Sequence, residues 1–237
     1  MKQLKLVCLL LPLFIFSGCK DDDNDSSIKT GIYLYRFDAS DTKEWNAFFS
    51  DYPQDQESFY QLEFGVTPLP DPLDASVYAL RISGNNHSDD LLSFIYRPVG
   101  GLAPNTTYKA TFELEIASNA LTNGIGIGGD PNLALGVGGI SYPPENTLDD
   151  LGMYRPNFNS SLQSGEANEV FALAGNIGVN PEYSNTFRTA YRDNADSPIE
   201  LTSNENGELW LMIATDSGYE GITTLYYSSI FIQLQPI

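Results

Sequence analysis

From Gly31 onward the chain alternates short apolar runs, rich in Val, Ile, Tyr, Phe and Thr, with clusters of Gly, Pro, Asn and Asp. Strand-forming side chains in pieces this short, bounded by turn residues, predict an all-β fold. The runs place strands at 32–37, 58–66, 77–83, 91–99, 108–117, 124–128, 133–138, 170–176, 187–192, 199–203, 208–215 and 224–235. Phe112, Leu114 and Ile116 interleave with Thr111, Glu113 and Glu115, the period of a strand with one buried face. In the final run Tyr226, Ile230, Ile232 and Leu234 fall on one side with Ser228 between them, and its length predicts a central strand. One stretch has a helical period: Trp45, Phe48, Phe49 and Tyr52 stand at i, i+3, i+4 and i+7, behind Ser40 and Asp41 as caps and before Pro53 as a stop. No linker or repeat interrupts residues 31–237. The pattern therefore predicts a single jelly-roll-type β-sandwich of two antiparallel sheets, with at most one or two short helices. A segment of that size buries roughly 70% of its unfolded surface and can dispense with disulfides.

The first thirty residues follow different rules. Lys2 and Lys5 precede an apolar run from Leu6 to Phe16, too short to span a bilayer, and small residues follow it, as in a secretory signal peptide. Phe16-Ser17-Gly18-Cys19 resembles a bacterial lipobox, with Phe16 in place of the usual Leu or Val. That resemblance implies a signal peptide over 1–18 and lipidation of Cys19, and several acyl chains such as palmitate on one residue give stable membrane anchoring. The run Lys20-Asp21-Asp22-Asp23-Asn24-Asp25-Ser26-Ser27 can bury nothing, so residues 19–30 read as the lipidated cysteine and an acidic tether. It also resembles the acidic export signal of Bacteroidota lipoproteins, which implies the outer face of the outer membrane.

Composition removes several kinds of chemistry. Among 237 residues, 31 Asp+Glu against 12 Lys+Arg give a formal charge of −19, which repels phosphate backbones and argues against a nucleic-acid partner. The 2 cysteines are Cys8 and Cys19, so the β region can hold no disulfide, thiolate nucleophile or cysteine-ligated metal. His87 is the only histidine, so a histidine-cluster metal site is excluded and any catalytic triad would have to use that one residue. Gly124, Gly126 and Gly129 satisfy GxGxxG, but Asp130-Pro131-Asn132 follows where a dinucleotide site needs a helix N-terminus. Glu113 and Glu115 share a strand face as carboxylates do in some glycoside hydrolases, but Ala117 and Ser118 follow, and a solvated face accounts for them.

Two loops concentrate polar groups. Ser83-Gly84-Asn85-Asn86-His87-Ser88-Asp89-Asp90 joins two strong strands, and its imidazole, amides and carboxylates can hydrogen-bond sugar hydroxyls or ligate a cation. Thr215-Asp216-Ser217-Gly218-Tyr219-Glu220-Gly221 lies between two others. If both sit at one end of the sandwich, Asp89, Asp90, Asp216 and Glu220 could share a structural calcium ion, and Asn86, His87, Asp89 and Asp90 with Trp45 form the candidate ligand site. Each loop is also accounted for as a hydrophilic turn.

Gly101-Leu102-Ala103-Pro104-Asn105-Thr106-Thr107-Tyr108 and Leu225-Tyr226-Tyr227-Ser228-Ser229-Ile230 resemble phrases of β-sandwich carbohydrate-binding modules, although the closing strand of those modules often carries an Asp where serines stand here. The two polar loops, together with Thr223-Thr224-Leu225-Tyr226-Tyr227, resemble a family of uncharacterised bacterial secreted and lipid-anchored proteins. The resemblance runs from about Trp45 to the C-terminus and implies fold more than activity. The expectation is a surface-exposed, lipid-anchored binding protein with a glycan ligand. A glycan-cleaving jelly-roll enzyme and a structural or adhesive envelope protein are the alternatives.

Overall fold

The computed structural model describes residues 30–87, 90–182 and 184–237. The leader, Cys19 and the acidic run of the tether lie outside the described residues, as does Asp89. The strands are β1 (Gly31–Arg36), β2 (Asn46–Ser50), β3 (Glu63–Pro68), β4 (Tyr78–Asn85), β5 (Leu91–Val99), β6 (Thr107–Ser118), β7 (Ala134–Ile140), β8 (Asn146–Leu148), β9 (Tyr154–Pro156), β10 (Phe171–Asn176), β11 (Arg188–Asp193), β12 (Ile199–Thr202), β13 (Leu209–Ser217) and β14 (Ile222–Pro236). They form two antiparallel sheets, ordered β3-β4-β14-β6-β11 and β2-β5-β13-β7-β10, with β1 added beside β14 and β12 beside β6. Strands at the same rank in the two sheets are neighbours in sequence, so the chain crosses repeatedly from one sheet to the other, as in a jelly roll. The long β14 is central, pairing with β6 on one side and with β4 and β1 on the other.

The main core lies between the sheets, where Leu80, Phe112, Leu114, Ile116, Ile230 and Ile232 meet Ile95, Leu135, Val137, Leu211 and Ile213. The five-stranded sheet is also buried on its other face. There Leu92, Phe94, Phe171 and Met212 pack under Phe158 and Leu162, which come from the long β7–β10 connection that also carries the β8–β9 hairpin. Burial on both faces explains why β5 and β13 read as nearly continuous apolar runs instead of alternating ones.

The same double burial corrects the helix expected over Trp45–Tyr52. These residues include β2, paired with β5, and successive side chains point to opposite faces. Trp45 enters the main core, Phe48 stacks on Phe94 in the outer cluster at 5.4 Å, and Tyr52 joins Tyr60 and Leu91 at one end. An aromatic strand with partners on both sides mimics the helical period. A β-bulge at Ser228 corrects the final strand. It reverses the alternation, so Leu225, Tyr227, Ile230, Ile232 and Leu234 face the main core while Tyr226 joins a separate cluster with Leu69 and Ala117. Residues 124–128 form a loop, not a strand, and the strand expected from 58 begins at Glu63.

Backbone approach is closest where the covering connection rejoins the sheet. A side chain at Gly138 would place its Cβ 1.8 Å from the Val170 carbonyl oxygen. Gly138→Ala should therefore displace the cover and lower the urea unfolding free energy by at least about 2 kcal/mol, read from the denaturation midpoint.

Candidate functional site

The two polar loops do sit at the same end of the sandwich, and Asn86 ties them together. Its side-chain amide donates to the Ser217 carbonyl at 2.6 Å, and its backbone N–H donates to the Gly221 carbonyl at 3.0 Å. At 2% exposure, Asn86 is a buried staple and has little surface to offer a ligand.

The staple brings Asp90 and Asp216 into one open cleft of about 390 Å³, whose wall also includes Asp51, Arg155, Asn159, Ser161 and Gln163. Asp51 follows the last residue of β2 and turns the chain with a left-handed φ of 66°, a conformation aspartate tolerates better than most side chains. Its backbone N–H donates to the Tyr154 carbonyl at 2.9 Å, setting its carboxylate against Arg155 of β9, with which it forms an ion pair. Arg155 also donates through Nε to Asp149 at 3.1 Å and lies 4.0 Å from Asp90. Asp216, near the end of β13, is 8% exposed. Its Oδ2 accepts the backbone N–H groups of Leu162 at 3.1 Å and Gln163 at 3.2 Å, while no donor reaches its Oδ1.

Burial and acid crowding set the electrostatics. Asp90 is pushed up to about 7, first by burial and then by the charges of Asp51 and Asp216, with a hydrogen bond to Asp216 adding to the rise and Arg155 opposing it. Asp216 is also raised by burial, against the pull of the amides of Leu162 and Gln163. Burial raises Asp51 as well, opposed by Arg155. The hydrogen bond between the two carboxyls favours the protonated form of Asp90 and the ionised form of Asp216.

An exposed ring pair stands near the cleft, with His87 three positions before Asp90 in the chain. His87 is exposed and stacks on Phe59, ring centroids 4.1 Å apart at 27°, and meets Tyr60 edge-on at 5.4 Å. Beneath it, Tyr60 packs on Tyr52 and Tyr52 on Tyr154, and the buried Tyr52 and Tyr60 anchor the exposed pair to the sheet end. Phe59 is 56% exposed. It lies in a turn closed by hydrogen bonds from Tyr60 to Gln56 and from Leu62 to Glu57, and this turn lifts its ring out of the sheet.

The remaining candidates lie elsewhere. Trp45 is 1% exposed and packs edge-on against Tyr35 at 5.6 Å, so it belongs to the core and offers a ligand no face. Glu220 is exposed and lines a neighbouring cavity of about 380 Å³ with Ile125, Ile127 and Tyr219. The glycine-rich loop wraps Tyr219 there: a Cβ on Gly126 would fall 2.3 Å from its ring. Glu113 lies on the exposed face of β6, and Glu115 accepts a hydrogen bond from Tyr191 there. Of the described residues considered for calcium, Asp90 and Asp216 meet and Glu220 stands apart, and among the described residues no group of three or more His, Cys, Asp or Glu is arranged to hold a metal ion.

Asp51, Arg155 and Phe59 complete the site without having been singled out in the sequence. Their one signal is chemical: an arginine is scarce in so acidic a chain, and a buried acid needs a partner.

No protein-family model matches the sequence, and no curated protein is similar to it. Solved structures give distant likenesses. A carbohydrate-binding module of the β-sandwich superfamily aligns over 86% of this chain and 60% of its own, at 9% identity and a TM-score of 0.39. The K1 cleaved adhesin domain of Lys-gingipain from Porphyromonas gingivalis aligns over 85% of this chain and 97% of its own, at 8% identity and a TM-score of 0.39. A protein of Bacteroides thetaiotaomicron named for sugar binding aligns over 81% of this chain and 88% of its own, at 10% identity and a TM-score of 0.39. At TM-scores this low the likenesses assign neither a family nor a ligand to this chain.

The raised Asp90 makes a testable mark on stability. The folded state holds its proton up to about 7, whereas an unfolded aspartate releases it near 4. Between those values the folded state binds the extra proton, so the contribution is present at low pH and is lost as pH rises to 7. Asp90→Asn should remove this part of the decline, leaving the variant more stable than wild type at pH 8, as read from urea midpoints between pH 4 and 8.5.

Proposed function

We propose that the protein binds glycans through the Phe59–His87 face and the adjoining acidic cleft, and that it does so as a binding protein rather than as an enzyme. The observation that supports this reading is the exposed ring stack set beside a cleft lined by carboxylates, a guanidinium and amides. A pyranose has an apolar C–H face, which an aromatic ring covers, and a rim of hydroxyls, which planar carboxylate and amide groups engage in pairs. The rigid sheet ends and the Asn86 staple hold these groups in place before a ligand arrives, which limits the ordering cost of binding.

We also propose that the lipobox-like segment anchors the protein through a lipid on Cys19 and that the acidic tether presents it at the outer face of the outer membrane. In this arrangement a short polar leash would leave the cleft free to meet extracellular polysaccharide.

On a glycan array, the protein should retain a defined set of oligosaccharides, and Phe59→Ala should weaken the best of them roughly tenfold, the value of one well-placed aromatic contact. Silence across the array would overturn the reading. Cys19→Ala should move the protein from the membrane fraction to the soluble fraction; unchanged partitioning would refute the anchor.

A further inference from the structure

We infer that the cavity beside Tyr219 is a second saccharide subsite and that it takes the acetamido group of an N-acetylated hexosamine. This rests on the glycan-binding reading and names a ligand class within it. The cavity, of about 380 Å³, has the size of a small-molecule site and shares no lining residue with the acidic cleft. Its wall is largely aliphatic, with Leu121, Ile125, Ile127, Pro131, Ile177 and Ile222 lining it. Ile125, Ile127 and Ile222 are 104%, 73% and 59% exposed. The loop that carries the first two is fastened by other groups. The Gly126 N–H donates to the Gly129 carbonyl at 3.0 Å, the Glu220 N–H donates to the Ile127 carbonyl at 2.8 Å, and the Asn132 amide donates to the Thr122 carbonyl at 2.8 Å. Isoleucines held in water by a fastened loop add nothing to the core, and at the lip of a cavity they gain by covering part of a ligand.

The chemistry of the wall selects the ligand. Tyr219 is the one aromatic residue among the described residues lining the cavity. It packs against the main core, and a Cβ on Gly126 or Gly221 would fall 2.3 or 2.6 Å from its ring, so it clamps the loop and is no platform for a pyranose face. Aliphatic walls suit a methyl group instead. Beside them stand polar groups with spare capacity. The Asn119 main-chain carbonyl accepts from Asn180 at 3.0 Å, but among the described residues no hydrogen bond engages its side-chain amide, that of Asn185 or the Thr223 hydroxyl. An acetamido group presents a methyl, an N–H and a carbonyl together, which matches isoleucines set next to carboxamides. No positively charged residue lines the cavity and Glu220 is its one acid, so a uronate or a sulfated sugar finds no counter-charge there.

The test is calorimetric titration of the protein with oligosaccharide pairs that differ in an acetamido group against a hydroxyl: chitotriose against cellotriose, and the corresponding galacto-configured pair. In at least one pair the acetamido member should bind about tenfold more tightly, the value of a buried methyl with one hydrogen bond. Saturation-transfer NMR should place the acetamido methyl protons closest to the protein. The double variant Ile125→Ser, Ile127→Ser should erase the preference with an unchanged thermal midpoint, because both side chains are exposed, and Asn185→Ala should reduce it. Phe59→Ala should weaken both members of a pair equally. Equal affinity within every pair with retained dependence on Phe59 would overturn the acetamido subsite while leaving glycan binding in place, and absence of any saccharide binding would overturn both. A preference that survives the double serine variant would place the acetamido group elsewhere and overturn the proposal. Self-association abolished by that variant, without a preference among the sugars, would assign the isoleucines to a protein contact and also overturn it.

Discussion

One buried carboxylate joins the architecture to the site. Asp216 accepts the amides of Leu162 and Gln163, and Leu162 fills the outer cluster of the five-stranded sheet. That sheet cannot leave Leu92, Phe94 and Met212 in water, so something must cover it, and the long connection between β7 and β10 does. A loop of that length carries many backbone donors that lose water where it is pressed against the sheet. Asp216 takes two of them on one oxygen, and the residue also lines the cleft.

The site inherits its shape from this arrangement. The cover delivers Arg155 from β9, the turn after β2 delivers Asp51, and the Asn86 staple delivers Asp90. Each comes from a different part of the chain. Acid crowding is tolerated because Arg155 neutralises part of it and a proton neutralises more. Structure and pH response are therefore linked at the same carboxylates.

The strands were legible because alternation and turn residues report local burial. Legibility failed where burial was not one-sided. In β2 both faces are covered, so Trp45, Phe48, Phe49 and Tyr52 mimic a helical period while serving three different clusters. In β14 one extra residue at Ser228 moves Tyr226 to the opposite face from the one its spacing suggests. The site was half legible. Asp90, Asp216 and His87 stand out as polar residues in loops between strong strands. Phe59 was hidden inside an apolar run, and Asp51 and Arg155, 104 residues apart, had no local reason to be paired.

By itself the sequence determined the all-β class, the central last strand and the absence of thiol and histidine-cluster chemistry from the β region, because these follow from residue type and short-range period. It also carries a lipobox-like N-terminal motif, which is a matter of local pattern. Only the tertiary structure decided that the two polar loops meet, that Trp45 and Asn86 are buried, and that an acid pair faces a guanidinium from a covering loop. Those facts depend on long-range contacts, and the ionisation of a carboxyl is set by the charges and burial around it, not by its neighbours along the chain.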